Sequence, residues 1–306
     1  MGNGEIPVLV IGATGFVGRQ VVASLRERGR SVRCMARTPE KAGDLVRDGV
    51  TVVQGDMLDQ AAVDQAVRGV SAVVVCVHTV SRQRAAAKKQ GFMDVEAQGL
   101  RHVVAACRKS GVTRVLYVTA IGVAEHATSS WSRGRWHTEQ ELFDSGLDVT
   151  VVRPGMIVGR GGDGFGIVAR GATKRFAMAV AGPRQKFRTI AVDDLARDLA
   201  DLMDLPDAAG KAFEVGSDDV LTMKQMTEIA ATSIGRRPGA ILFMPAGLTR
   251  LLAPLVERAA RVPRGAISGF VGEGPREDMV GDPTAVRTIL GRADRPYRQV
   301  IEGQLL

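Results

Sequence analysis

Cysteine and aromatic residues are scarce in this chain, and long apolar runs are missing from it. Its 306 residues include three Cys, two Trp, two Tyr and nine Phe. Cys34, Cys76 and Cys107 stand far apart in apolar stretches, which predicts reduced core thiols rather than a disulfide framework or a metal site. No apolar run reaches the ~18 residues that a membrane-spanning helix needs. We therefore expect neither a bound metal nor a membrane partner.

The first residues, MGNGEIPVLVIG, lack the features of two targeting signals. No basic region precedes an apolar run, as it does in a secretory signal peptide. Ile6 stands where an N-myristoylation site carries Ser or Thr. Together with the expectation of reduced cysteines, these features predict a cytoplasmic protein.

The charge balance is basic, with 41 Lys and Arg against 33 Asp and Glu and a formal net charge of +8. One explanation is a nucleic-acid partner, and the other is a basic surface with a site for an anionic cofactor. The short basic clusters are Arg133 with Arg135, Arg184 with Lys186 and Arg188, and Arg236 with Arg237. Their charges are not interleaved with aromatic residues, so the sequence favours the second explanation and predicts no nucleic-acid partner.

Short apolar runs alternate with amphipathic stretches through the first half of the chain. The runs, predicted as strands, are Ile6–Ile11, Ser31–Ala36, Val50–Gln54, Ala72–Val77, Val112–Thr119 and Asp148–Arg153. The stretches, predicted as helices, are Phe16–Arg28, Pro39–Arg47, Asp59–Val67, Gly91–Lys109 and Arg133–Ser145. Continuous apolar strands are typical of a parallel sheet buried on both faces. The pattern predicts an α/β fold with a Rossmann-type doubly wound parallel sheet.

The second half is less regular, and we expect a smaller, mainly helical substrate-binding portion. A short strand leads into a helix from Arg188, KAFEVG is a strand, and LTMKQMTEIAATSIGR is a helix opened by Thr222. We assign residues 1–157 to a cofactor-binding domain and residues 158–306 to the substrate-binding portion, interleaved with it. The apolar stretch within 245–281 is predicted to be a helical lid, with an ordinary pair of helices as the alternative.

A glycine-rich loop, GATGFVG, spans Gly12 to Gly18 directly between the first strand and the first helix. Three glycines at this spacing permit a tight turn, close approach of the backbone to a pyrophosphate, and close packing of the helix. The helix N-terminus adds free N–H groups and the positive end of a dipole. We predict a dinucleotide site, rather than a tight turn that binds nothing, with contacts from Gly12, Thr14, Gly15, Phe16 and Val17.

The ends of the second and third strands indicate which dinucleotide binds. An NAD site carries an acidic residue after its second strand, whereas this chain has Arg37 followed by Thr38 in MARTPEKA. A guanidinium can clamp a 2′-phosphate by two hydrogen bonds, so NADPH is predicted, with a solvated arginine at a helix start as the alternative. In GDMLD, Asp56 is placed to accept from the adenine amino group and Met57 to pack on the ring. The remaining predicted cofactor contacts are Val77, His78, Pro154 and Met156.

These motifs resemble the short-chain dehydrogenase/reductase superfamily in its atypical branch, which includes NmrA-like proteins and a respiratory complex I subunit. The resemblance rests on GATGFVG, on the residues ART and KA around Pro39, on GDMLD, on SGLDVTVVRPGMIVG and on IAVDDLARDLADLM, and it covers residues 5–215. It implies a Rossmann fold, a nicotinamide dinucleotide, and a variable substrate-binding portion beyond the covered region.

The stretch WSRGRW, residues 131–136, falls where ordinary members of that superfamily carry their catalytic Tyr-x-x-x-Lys. The resemblance places Trp131 at the Tyr position, Arg135 at the Lys position, and Thr119 or Ala120 at the Ser position. An indole has no acidic hydroxyl, and a guanidinium does not release a proton at neutral pH. The usual acid–base machinery is therefore replaced. We name Thr119 and Arg135 as the catalytic candidates and expect Arg135 to bind the cofactor ribose.

Three functions are compatible with the replacement of the usual acid–base residues. The first is an NADPH-dependent ketoreductase that acts as a monomer or homodimer on a small or polycyclic carbonyl compound. The proton then comes from Thr119, from water or from an acidic hydroxyl on an enolised or phenolic substrate. Some members of the superfamily that lack the Ser, Tyr and Lys residues are ketoreductases that modify natural products. The resemblance to them implies a role such as antibiotic biosynthesis. The second is a dinucleotide-binding sensor or regulator without turnover, and the third is an assembly or scaffold role. We favour the reductase.

Overall fold

The computed structural model describes residues 6–47, 49–77, 92–260 and 277–305. The strands are β1 Val8–Ile11, β2 Val32–Ala36, β3 Val50–Gln54, β4 Ala72–Val75, β5 Arg114–Val118, β6 Asp148–Pro154, β7 Met156–Val158, β8 Phe176–Ala179, β9 Lys186–Ala191, β10 Lys211–Val215, β11 Val220–Thr222 and β12 Ala240–Phe243. The helices are α1 Phe16–Glu27, α2 Gln60–Val67, α3 Phe92–Ser110, α4 Ser130–Phe143, α5 Asp163–Thr173, α6 Val192–Met203, α7 Met223–Ser233, α8 Ala246–Ala260, α9 Thr284–Leu290 and α10 Tyr297–Ile301. Short 3-10 helices span Pro39–Leu45 and Pro206–Ala208.

The main sheet has seven strands in the order β10-β6-β5-β4-β1-β2-β3, and every neighbouring pair is parallel. The order from β3 to β6 is the one that binds dinucleotides across the crevice where the strand order reverses, between β1 and β4. Successive side chains of β1 enter opposite cores: Val8 and Val10 face α1 and α6, whereas Leu9 and Ile11 face α2 and α3. The predicted α/β fold with a doubly wound parallel sheet is confirmed.

Some predicted element boundaries are wrong. The predicted helix from Pro39 is a 3-10 helix that ends at Leu45. The helix predicted from Arg133 begins at Ser130, because the Ser129 side chain caps it by accepting a hydrogen bond from the Ser132 N–H at 3.4 Å. The complete WSRGRW stretch is therefore helical.

The second half contains small sheets beside its helices. One sheet has the order β11-β9-β7, and in the other β12 pairs with β8 in parallel. With α5, α7 and α10 these strands enclose a separate apolar core. Thr222 opens α7 with a capping box closed by Gln225, which confirms the sequence-based helix start. Strand β10 lies at the edge of the main sheet, and α6 packs against α1.

The described part of the predicted lid region comprises α8 and residues 277–281, and residues 261–276 lie outside the described residues. The division of the chain at residue 157 stays a prediction. Among the described helices, none has the length and apolar character required to cross a bilayer.

Candidate active site

The glycine loop is folded too tightly for side chains at two of its positions. Gly12 has φ +85°, and a Cβ added there would lie 2.8 Å from the carbonyl oxygen of Cys76, at the end of the neighbouring strand. A Cβ added to Gly18 would lie 2.2 Å from the carbonyl oxygen of Gly12. The loop therefore requires glycine at both positions, and it lies at the carboxyl end of β1, where the crevice opens.

The first turn of α1 presents backbone to the crevice. Gly15 is the exposed N-cap residue and no side chain caps it, so the helix terminus retains N–H donors for an anion. The Thr14 carbonyl accepts a hydrogen bond from Arg19 Nε at 3.2 Å, which holds the loop on its helix. The Phe16 ring packs on the turn at Gly162, where an added Cβ would lie 2.9 Å from it. Val17 is half-buried against the core.

The predicted adenosine contacts lie at the carboxyl ends of β2 and β3. Arg37 is exposed directly after β2, and the half-buried Thr38 precedes the 3-10 helix. Asp56 Oδ1 accepts a hydrogen bond from the Leu58 N–H at 3.1 Å. Met57 is 8% exposed and packs against Gly99 in the core, where an added Cβ would lie 2.8 Å from its Cε. Its contact with adenine stays a prediction.

Further predicted cofactor contacts and the catalytic candidate Thr119 lie at or near the carboxyl ends of β4, β5 and β6. Val77 is half-buried just after β4, and His78 lies outside the described residues. Thr119 directly follows β5, where its N–H donates to the Val152 carbonyl at 2.9 Å. The buried Pro154 ends β6, and the half-buried Met156 begins β7.

The Thr119 hydroxyl donates a hydrogen bond to a buried carboxylate that is not among the predicted site residues. Its Oγ1 donates to Glu139 Oε1 at 2.7 Å, and Arg153 Nε donates to Glu139 Oε2 at 3.1 Å. Thr119 is 5% exposed and Glu139 is fully buried. A hydroxyl carries one hydrogen, so in this arrangement Thr119 offers the site only lone pairs. The spacing of Glu139 from Trp131 and Arg135 was the sequence signal for its inward position.

Arg135 lies in a second buried cluster, on the same face of α4. Its Nε is 2.9 Å from Glu96 Oε1, and its Nη2 donates to Glu96 Oε2 at 3.2 Å. The guanidinium carbon lies 4.3 Å from the centre of the Trp131 ring, a cation–π contact. The Tyr117 hydroxyl, from β5, donates to the same Glu96 carboxylate. The structure thus places the two catalytic candidates in separate side-chain clusters.

Burial and charge–charge contacts together determine the ionisation of this cluster. Burial lowers the pKa of Arg135, but the negative charge of Glu96 and the neighbouring groups together raise it by more, so the net shift of this pKa is upward. Burial and the Glu96 charge raise the pKa of Tyr117 well above its ordinary value. Tyr117 is therefore a neutral hydrogen-bond donor at neutral pH, and its proton is already directed at Glu96.

His137 lies outside both clusters. It is exposed, and its ring makes an edge contact with the half-buried Trp136 ring, with centroids 5.1 Å apart. The described residues contain no group of His, Cys, Asp and Glu side chains that is arranged to hold a metal ion.

A cavity of about 170 Å³ adjoins the end of β5. Its apolar wall includes Ile121, Trp131, Met156 and Phe187, and Ser132 contributes a polar side chain. The cavity thus connects the WSRGRW helix to β7 and β9 of the second half. Cavities at this carboxyl edge of an open α/β sheet are where substrates bind.

Comparisons with known proteins agree with this geometry. The chain is 28% identical to (4-alkanoyl-5-oxo-2,5-dihydrofuran-3-yl)methyl phosphate reductase of Streptomyces griseus subsp. griseus. The alignment spans 302 residues and covers 95% of each protein. It is 28% identical over 269 residues to 2-alkyl-3-oxoalkanoate reductase of Stenotrophomonas maltophilia, covering 78% of this chain and 79% of that protein. Its fold resembles NADPH-dependent quinone oxidoreductase QOR2 of Escherichia coli complexed with NADPH, with TM-score 0.72, 20% identity, and 96% and 98% of the two chains covered. Residues 12–206 match the NAD(P)H-binding family. The chain therefore belongs to the NAD(P)H-binding family, within the atypical short-chain dehydrogenase/reductase superfamily whose motifs it carries.

Proposed function

We propose that this protein is an NADPH-dependent reductase of a small carbonyl compound that carries a second carbonyl or an acidic hydroxyl near the first. The family and its relatives support a nicotinamide-dependent oxidoreductase. The uncapped N-terminus of α1 and the tight turn at Gly12 fit a dinucleotide pyrophosphate. The exposed guanidinium position at Arg37 favours the 2′-phosphate of NADPH.

The observation that carries this choice of substrate is the hydrogen bond from Thr119 to Glu139. When bound, the nicotinamide supplies the hydride that reduces the carbonyl carbon. The reduced oxygen then needs one proton. Thr119 directs its hydrogen at Glu139, and Tyr117 directs its hydrogen at Glu96. Arg135 does not release a proton at neutral pH. The proton is therefore expected from water or from the substrate itself.

A 1,3-dicarbonyl compound meets this requirement because its enol form carries an acidic hydroxyl beside the ketone. The names of both reductases described above specify two carbonyl groups separated by one carbon, an alkanoyl group beside a ring oxo group and a 3-oxoalkanoate. In the dihydrofuran that carbon belongs to the ring double bond, so of the two named compounds the 2-alkyl-3-oxoalkanoate is the one that can form an enol there. The cavity of about 170 Å³ supports a small acceptor, because pockets that enclose drug-sized ligands typically measure ~300–1,000 Å³.

The test measures NADPH oxidation as kcat/KM for matched pairs of substrates. Each pair consists of an enolisable 1,3-dicarbonyl compound and its enol methyl ether, which lacks the acidic hydroxyl. A positioned acid contributes ~10²–10⁴-fold, so methylation should reduce kcat/KM by about that factor. Thr119→Val should reduce kcat/KM for the hydroxyl substrate by a smaller factor than methylation of that substrate does.

Two results would overturn the proposal. Equal rates for the hydroxyl and methoxy substrates, combined with loss of turnover in Thr119→Val, would make Thr119 the proton donor. Tight NADPH binding without oxidation by any carbonyl compound would instead indicate a sensor of the cofactor.

A further inference from the structure

One face of the small β8–β12 sheet is apolar and exposed. In the parallel pairing, Ala240 lies opposite Phe176 and Leu242 lies opposite Met178. Phe176, Met178 and Leu242 are 60%, 54% and 53% exposed. The alternate residues of both strands, including Ala179 and Ile241, face the apolar core of the second half. We call the exposed side, formed by Phe176, Met178, Ala240 and Leu242, the β8–β12 face.

A basic cluster stands at one end of this face. Lys174 and Arg175 precede β8, and Arg236 and Arg237 precede β12 by a few residues. Because the strands are parallel, both basic segments reach the same end of the sheet. The four side chains line an open concavity of about 420 Å³.

Backbone contacts hold the two basic segments together. Arg236 Nη1 donates to the Thr173 carbonyl at 3.2 Å, and the Ala240 N–H donates to the Arg175 carbonyl at 3.0 Å. A Cβ added to Gly239 would lie 2.2 Å from the Lys174 carbonyl oxygen, so the segments are in direct contact. These contacts hold together the two backbone segments that carry Lys174, Arg175, Arg236 and Arg237, which we call the basic cluster.

More exposed apolar side chains follow in the chain. Helix α8 begins shortly after β12 and exposes Leu248, Leu251, Leu252 and Leu255, by 46%, 74%, 36% and 68%. These four leucines recur at helical spacing, so they lie on one side of α8. Exposed apolar side chains grouped on one side of a helix are typical of a surface that associates with a partner or a membrane.

We propose that the β8–β12 face and its basic cluster dock onto an anionic lipid bilayer. Apolar side chains that enter the headgroup boundary, combined with Lys and Arg beside them, are the two components of peripheral membrane binding. A second copy of this chain is a poorer partner, because the protein has a net charge of +8 and each copy would contribute another basic cluster. The earlier expectation of no membrane partner rested on the absence of a spanning run, which does not address peripheral contact.

The test is co-sedimentation of the full-length protein with vesicles of phosphatidylcholine alone or mixed with phosphatidylglycerol. Binding is expected only to the mixed vesicles and should weaken as salt rises. The double variant Lys174→Gln/Arg237→Gln should bind roughly 25-fold more weakly, since each basic residue near such a surface contributes about a factor of five. Met178→Ser/Leu242→Ser should also lower binding, with little change in salt dependence.

Matched control variants change exposed residues outside β8, β12 and the basic cluster. Arg68→Gln/Arg298→Gln removes the same charge, and Val46→Ser changes an apolar side chain that is 59% exposed. These variants should bind vesicles within about twofold of the unmodified protein, apart from the modest effect of net charge. NADPH affinity and the melting temperature, measured for every variant, show that fold and cofactor site survive.

Three outcomes would overturn the proposal. One is equal binding to vesicles with and without phosphatidylglycerol, and another is equal loss in the control variants. The third is concentration-dependent self-association in ultracentrifugation that Met178→Ser/Leu242→Ser abolishes, since it would show that the face binds a second copy. None of these readouts depends on the substrate of the proposed reductase.

Discussion

Arg135 and Glu96 form an ion pair in which Nε and Oε1 are 2.9 Å apart and both side chains are 1% exposed. The pair joins α3 to α4, and the guanidinium packs against the Trp131 ring, which lines the candidate substrate cavity. A charge this deeply buried is stable only beside its partner. Arg135 is thus held in place by Glu96, which limits its freedom to reach a cofactor ribose.

Removing one partner of this pair should destabilise the fold strongly. Glu96→Gln or Arg135→Met alone should cost about 3–5 kcal/mol of unfolding free energy, because each leaves a buried charge without its partner. The double variant should cost less than the sum of the single variants. Urea denaturation of the four proteins measures this double-mutant cycle.

The exposed pair Arg101–Glu141 is the control, because it joins the same two helices with an Nη2–Oε1 distance of 2.7 Å. Loss of this exposed ion pair should lower the free energy of unfolding by less than about 1 kcal/mol. If Arg135→Met were as stable as the unmodified protein but had a raised KM for NADPH, the main role of Arg135 would be in cofactor binding.

The strands of the main sheet could be predicted from the sequence because they are short, mostly apolar runs of residues. Continuous apolar runs such as Val8–Ile11 predicted strands buried on both faces, and the glycine loop located the crevice. Trp131, Arg135 and Glu139 stand four residues apart in the sequence, a spacing that places them on one face of a helix, and all three are buried.

The residues that contact Trp131, Arg135 and Glu139 could not be predicted from local sequence patterns. Glu96 is 39 residues from Arg135 in sequence, and their contact depends on the register between two packed helices. The strand Phe176–Ala179 has only four residues, and all four are apolar, so its sequence shows no alternation of apolar and polar residues. It forms through its pairing with β12. Tertiary packing decided both features.

Arg37 should determine which dinucleotide binds. Arg37→Ala is expected to weaken NADPH binding by ~1.5–3 kcal/mol, typical of a hydrogen bond to a charged group, and to leave NADH binding nearly unchanged. Arg47→Ala removes another exposed positive charge and is the control. Titration calorimetry with both cofactors measures the effect. Equal losses for NADPH and NADH would show that Arg37 does not contact the 2′-phosphate.

Trp131 should be needed for its ring and not for its N–H. The ring lines the cavity and packs against the Arg135 guanidinium. Trp131→Phe keeps an aromatic face, so most of kcat/KM should remain, whereas Trp131→Ala should cost about 3–5 kcal/mol of stability by opening a cavity. Steady-state rates and thermal melts separate the two effects. Lost turnover in Trp131→Phe, with fold and NADPH affinity intact, would give the indole a chemical role.

A carboxyl pair should make stability depend on pH. Asp198 of α6 is 2% exposed, and its side chain hydrogen-bonds to that of Asp294, which is 9% exposed. Burial and the neighbouring Asp294 raise the pKa of Asp198 to about 8, although Arg292 opposes the shift. Burial also raises the pKa of Asp294. The pair therefore retains a proton near neutral pH, and this proton links the C-terminal segment to α6.

A raised carboxyl pKa means that the folded state binds a proton more tightly than the unfolded state does. The stabilisation from Asp198 is then complete below its ordinary pKa and is lost as pH rises toward about 8. Asp198→Asn imitates the protonated acid, so its unfolding free energy should not fall in this way, and the difference from the unmodified protein should grow by at most about 1.4 kcal/mol per pH unit. Arg292 keeps a carboxylate partner in this variant, because its Nη2 also lies 2.7 Å from Asp201 Oδ2. Urea denaturation from pH 5 to pH 9 measures the difference, with Asp163→Asn, at an exposed position of α5, as the control for one lost charge. Parallel pH profiles for the unmodified protein and Asp198→Asn would show that the pair holds no proton in this range.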